Sequence, residues 1–151
     1  MKPGRHRVEA ALGLILSFLF LQGSASAPAY KVVVSTTNPV TTLTRREAAA
    51  IFIKKRTRWE AGGEIAPVDQ SSSSLVRAAF TREVLESEGL GRLSAVQTFW
   101  QQQVYSGRST PPVIKASDAE VVAFVAANRE AIGYVSGDAA TPGVKLVTIQ
   151  P

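Results

Sequence analysis

The chain contains no cysteine, and its one histidine, His6, lies near the amino terminus. Without cysteine there is no disulfide framework, so stability must come from an ordinary apolar core. If the region around His6 is removed as a leader, Ser-His-Asp and Cys-His nucleophilic sites, His-ligated zinc, haem and copper, and most general-base chemistry near neutral pH go with it. Carboxylate chemistry, Ser-Lys chemistry, oxygen-ligated metals and plain binding remain. Among Glu60, Glu64, Asp69, Glu83, Glu86 and Glu88, no spacing holds two carboxylates across a substrate, and a solvated helix face accounts for Glu83 and Glu86. The Ser-x-x-Lys motif is missing at the serine run, where Arg77 follows Ser74. The expectation is a binding protein without catalytic residues, cofactor or metal.

Long apolar runs are equally scarce. One exists, Ala10 to Leu21, preceded by Lys2, Arg5 and Arg7 and followed by small residues from Gly23 to Ala29. It is about half the roughly 20 residues a bilayer span requires. Residues 1–27 therefore read as a secretory signal peptide, with a retained anchor as the alternative. Ala25 and Ala27 provide a small-x-small pattern, but Pro28 follows, which leaves cleavage open between Ala25 and Ala29. No comparable run follows, so the mature chain, 28–151, is expected to be one soluble periplasmic domain without a membrane span.

Charge is unremarkable. The chain carries 17 Lys+Arg against 12 Asp+Glu. Without residues 1–27, which hold Lys2, Arg5, Arg7 and Glu9, the balance is 14 against 11. So small an excess gives no argument for nucleic acid.

What is present alternates between strand and helix signals. Tyr30 to Ser35 is β-branched and apolar, a strand, and Asn38-Pro39 marks a turn. Thr44 and Glu47 form a capping box for a helix to about Ile53. A basic run, Lys54 to Arg58, reads as a solvated loop or a docking patch, and Gly62-Gly63 breaks the chain. Ile65 to Val68 is a strand. Leu75, Val76, Ala79, Phe80, Val84 and Leu85 have the spacing of a buried helical stripe. A third helix spans Ser94 to Tyr105, Val113 to Ala116 is a strand, and Ser117 with Glu120 opens a helix to about Asn128. Ile132 to Val135 and Val144 to Ile149 complete the series. Trp59, Trp100 and Tyr134 read as core residues. The predicted class is α/β, a small mixed sheet flanked by helices.

Two blocks of residues resemble the phosphate-type periplasmic solute-binding proteins of ABC transporters. The first is Leu43-Thr44-Arg45-Arg46-Glu47, Ile51-Phe52, Arg58-Trp59 and Ile65-Ala66-Pro67-Val68; the second runs from Asp118 through Ala131-Ile132-Gly133-Tyr134-Val135. The resemblance covers roughly Val32 to Val135. It implies one lobe of a type 2 periplasmic-binding fold, whereas the transport receptors clasp solute between two. In that family the loop matching Val68 to Ser74 carries an Arg, an Asp and a Ser-Gly-Thr-like run that holds phosphate. Here Gln70 stands at the Arg position and a serine at the Asp position.

The resemblance implies an oxyanion site on the hydroxyls of Ser71, Ser72, Ser73 and Ser74, with Gln70 at its edge. Arg77, one turn into the helix, is the candidate for the missing positive charge. A helix start suits an anion because its first N–H groups are unpaired and carry partial positive charge. The plain alternative is one serine as N-cap and the others as loop. Thr36 and Thr37, after the first strand, are expected at the same edge of the sheet as further donors, or else form an ordinary turn with Asn38. Two functions follow: binding of phosphate or a similar oxyanion for an ABC transporter permease, or a single-lobe interaction or sensory module for an envelope protein that has lost the small ligand.

Overall fold

A computed structural model describes residues 29–151; the expected signal peptide lies outside them. The strands are β1 (Tyr30–Ser35), β2 (Thr42–Thr44), β3 (Ala66–Gln70), β4 (Val113–Lys115), β5 (Ala131–Ser136) and β6 (Val144–Gln150). The helices are α1 (Arg45–Phe52), α2 (Leu75–Glu83), α3 (Leu93–Tyr105) and α4 (Asp118–Ala127). The strands form one mixed sheet in the order β2-β6-β1-β5-β3-β4.

β1 lies inside the sheet, antiparallel to both β5 and β6. Covered on both faces, its Val32-Val33-Val34 run has no polar alternation. Val32 and Val34 join Ile132 and Tyr134 under α1, α2 and α3, packed with Ile51, Phe52, Phe80 and Trp100. Val33, Val68 and Val135 face α4 through Val121, Val122 and Val125. Gly133 permits that approach: a Cβ there would lie 2.6 Å from Val121 Cγ1.

Three elements differ from expectation. β2 is an addition, formed because Thr42–Thr44 pairs in parallel with Thr148–Gln150 of β6. That partner is remote in sequence, so nothing local announces the strand. β3 extends two residues further than predicted, since Asp69 and Gln70 pair with Ile114 and Lys115 of β4. α2 stops at Glu83, and Leu85–Glu88 is a 3-10 turn. There Ser87 Oγ donates to the Val84 carbonyl at 2.7 Å, an acceptor the α-helical ladder would otherwise use.

Candidate functional site

β3, β4 and β5 run parallel, so their carboxyl ends share one edge of the sheet. Both α2 and α4 begin there. Ser74 caps α2, its Oγ accepting from Arg77 N–H at 3.2 Å. Ser117 caps α4, accepting from Glu120 N–H at 3.3 Å, while Ala116 N–H donates to the Glu120 carboxylate at 2.8 Å. Between the two starts is an open concavity of about 350 Å³ lined by Ser71, Ser73, Ser74, Ser117, Asp118 and Ser136, with Gln70 at its floor. Among the described residues, the N–H groups of Leu75 and Val76 in the first turn of α2 have no acceptor outside the helix.

The structure separates the predicted site residues. Ser71, Ser73 and Ser74 meet at this corner, but their hydroxyls are already engaged. Ser71 Oγ and Ser73 Oγ are 2.9 Å apart, and Ser74 Oγ donates to Gln70 Oε1 at 2.9 Å. Ser72 turns away, into a wider groove beside α3.

Gln70 is a buried strand residue rather than a loop ligand. Its Nε2 donates to Asp118 Oδ1 at 2.8 Å and to the Tyr134 carbonyl at 3.0 Å, which ties β3 to β5 and to the start of α4. The amide is thereby saturated, with its oxygen held by Ser74.

Arg77 does not supply a free charge. Its guanidinium bonds to Asp69 Oδ2 at 2.8 Å and donates to the Gln70 carbonyl at 2.9 Å. Asp69 also accepts from the Tyr134 hydroxyl and from Gln70 N–H. Burial raises the Asp69 carboxyl above its usual range, against the opposing pull of Arg77, Tyr134 and the Gln70 N–H. Burial, then the charge of Asp69, pushes the Tyr134 phenol up as well. Its ring stacks on Phe80 at 4.0 Å between centroids. The group is an internal clamp.

Thr36 and Thr37 are not at the corner. Because β1 opposes β5, Tyr30 lies beside Ser136 at the corner, while Val34 lies beside Ile132. The turn after Ser35 therefore falls at the opposite edge, where Asn38 Nδ2 donates to the Arg129 carbonyl at 3.2 Å. A shared edge would require β1 to run parallel to β5, and it runs antiparallel. Two of the four cations of the basic run are paired: Lys55 with Glu88, and Arg56 with Glu47 at 3.2 Å and Glu60 at 3.5 Å.

Sequence reasoning missed Asp118 and Ser136. Asp118 Oδ1 accepts from Gln70 and from Ser136 N–H at 3.2 Å, so a carboxylate stands inside the corner. The available signal was the cap at Ser117: a helix start after the neighbouring parallel strand must fall at the same edge as Ser74. Among the described residues there is no cluster of His, Cys, Asp or Glu able to hold a metal ion, and no helix long and apolar enough to cross a membrane.

No protein-family model and no curated protein sequence matches the chain. Solved structures do. An ABC-type phosphate transport receptor from Vibrio cholerae matches with TM-score 0.55 and 21% identity, over 80% of this chain and 46% of the receptor. PstS from Borrelia burgdorferi matches with TM-score 0.59 and 17% identity, over 80% and 47%. A Clostridium perfringens protein assigned as a phosphate ABC transporter substrate-binding protein, solved with bound phosphate, matches with TM-score 0.60 and 22% identity, over 80% and 44%. At these identities the likeness is one of fold: a mixed α/β sheet flanked by helices, matching one lobe of periplasmic binding proteins of this type. The chain spans less than half the length of these neighbours.

Proposed function

We propose that this chain is a non-enzymatic solute-binding-type module that takes a small, proton-bearing oxyanion of the phosphate kind where α2 and α4 begin. The observation that carries this reading is the convergence of two capped helix starts and several hydroxyls on one solvent-open corner, with the Leu75 and Val76 N–H groups unclaimed. Helix N-termini favour negative charge through their free N–H groups and dipole. Asp118 sets the selectivity. A fully deprotonated anion is repelled by its carboxylate, whereas an oxyanion with a hydroxyl can donate to it. With Gln70 and Arg77 committed to protein partners, no bidentate guanidinium contact is made and affinity is modest. The neighbours' phosphate ligand and transport role support the same class. On this reading residues 28–151 act as one exported, periplasmic domain that delivers the anion to an ABC transporter permease.

Titration of the full chain tests it. Millimolar phosphate should raise the melting temperature, sulfate should do so much less, and Asp118→Asn should narrow that difference. No response to phosphate in low-salt buffer would remove the proposal. The engagement of Gln70 and Arg77 favours a second reading, a single-lobe interaction or sensory module that no longer binds a small ligand.

A further inference from the structure

We propose that the groove between α3 and β4 docks an extended, acidic segment of a partner protein that presents apolar side chains. This surface is distinct from the oxyanion corner and stands whether or not phosphate binds.

The groove has a volume of about 610 Å³ and is lined mainly by Leu93, Trp100, Val104, Tyr105, Pro111 and Ile114. Large apolar side chains are left in water here. Val104, Tyr105 and Ile114 are exposed by half or more, Tyr105 by 95%, and exposed Leu75 and Val113 flank the groove in sequence. Clustered apolar exposure of this kind marks an interaction surface, whereas scattered single residues do not.

α3 itself lacks the features of a solvated helix. Its 13 residues, LSAVQTFWQQQVY, include no charged side chain, and Val96 and Trp100 alone among them are buried. A surface helix ordinarily turns charge toward water. The facing element, β4, is the last strand of the sheet, and its outer edge has no partner among the described residues. An open edge offers main-chain N–H and C=O groups to an extended peptide, and pockets beside it take alternate side chains.

Charge selects the occupant. From Gly89 to Ala116 the chain holds Arg92, Arg108 and Lys115 and no Asp or Glu. None of the groove-lining residues is a carboxylate. Lys54 Nζ sits 3.5 Å from the Pro111 carbonyl at the rim. Arg92 and Arg108 form no ion pair among the described residues, whereas the lining Arg77 is neutralised by Asp69. An acidic partner meets this field favourably. A second copy would bring the same cations face to face.

The experiment is fluorescence anisotropy of the full chain with a short dye-labelled peptide alternating Glu and Leu, against the same peptide with Lys for Glu. The expected result is saturable binding of the Glu peptide, weakened by salt, and at least about tenfold weaker binding of the Lys peptide. Tyr105→Ser should weaken the Glu peptide by about tenfold, as for an aromatic anchor. Because Tyr105 is exposed, that variant should melt like wild type. Leu146→Ser, on β6 and also exposed, should bind normally. Equal binding of the two peptides, no saturable binding, or indifference to Tyr105→Ser would overturn the proposal. So would self-association lost with Tyr105→Ser, or Tyr105-dependent binding to phosphatidylglycerol vesicles without peptide binding.

Discussion

The Arg77 guanidinium lies 2.8 Å from the Asp69 carboxylate, with side chains only 12% and 13% exposed. This contact makes Arg77 part of the fold. Removing one partner of a buried pair leaves the other charge unsolvated, a loss of about 3–5 kcal/mol. Arg77→Met should therefore lower stability to urea by about that amount at neutral pH. The double variant with Asp69→Asn should recover part of it, because the stranded carboxylate is gone. Equal losses in the single and double variants would show that the two side chains are not coupled.

Gln70 joins three elements through one amide, bonding to Asp118, the Tyr134 carbonyl and Ser74. Gln70→Leu keeps similar bulk but strands the Tyr134 carbonyl and the Ser74 hydroxyl proton, and leaves Asp118 Oδ1 with the Ser136 N–H alone. Each buried polar group left without a partner costs about 1–3 kcal/mol. Chemical denaturation should show a loss in that range or above. Hydrogen exchange should become faster at Ser136, whose N–H shares Asp118 Oδ1. An unchanged denaturation midpoint would mean that water replaces the lost bonds.

Two carboxylates act in opposite senses as pH falls. Glu47 is held below its ordinary 4.5, first by Thr44 N–H and next by the Thr44 hydroxyl, with Arg56 adding to the effect. Its contribution is present above 4.5 and is lost as pH falls through the lowered folded value. Asp69 is raised above its ordinary 3.8 by burial. The stability it contributes is complete below 3.8 and is lost as pH rises through the raised folded value. The deficit of Glu47→Gln relative to wild type should shrink as pH drops below 4.5. Asp69→Asn should instead make the acid limb steeper, because the compensating protonation is gone. Thermal melts of the three proteins across the acid range check both signs.

The helix starts were legible because they are local. The Thr44–Glu47 capping box occurs as the spacing implies, and Ser74 and Ser117 cap the helices that follow them. Of the predicted stripe, Val76, Ala79, Phe80, Val84 and Leu85 are buried, but Leu75, at the first turn of α2, is 88% exposed. The site was less legible, since membership depends on which strand ends share an edge. Asp118 stands 48 residues from Gln70 and meets it only through the β3–β4–α4 arrangement. Thr36 was misplaced for the same reason: a short Val run has the same appearance in either strand direction.

The sequence by itself determined where helices begin, which faces become apolar, and which reactions lack their usual side chains. Those properties rest on neighbours within a turn or two and on composition. Tertiary structure alone decided that β1 runs against β5, that Arg77 turns inward to Asp69, and that Asp118 enters the corner. Each of these depends on strand order and on pairing between distant residues, where burial makes an unpartnered charge or amide too costly to leave alone.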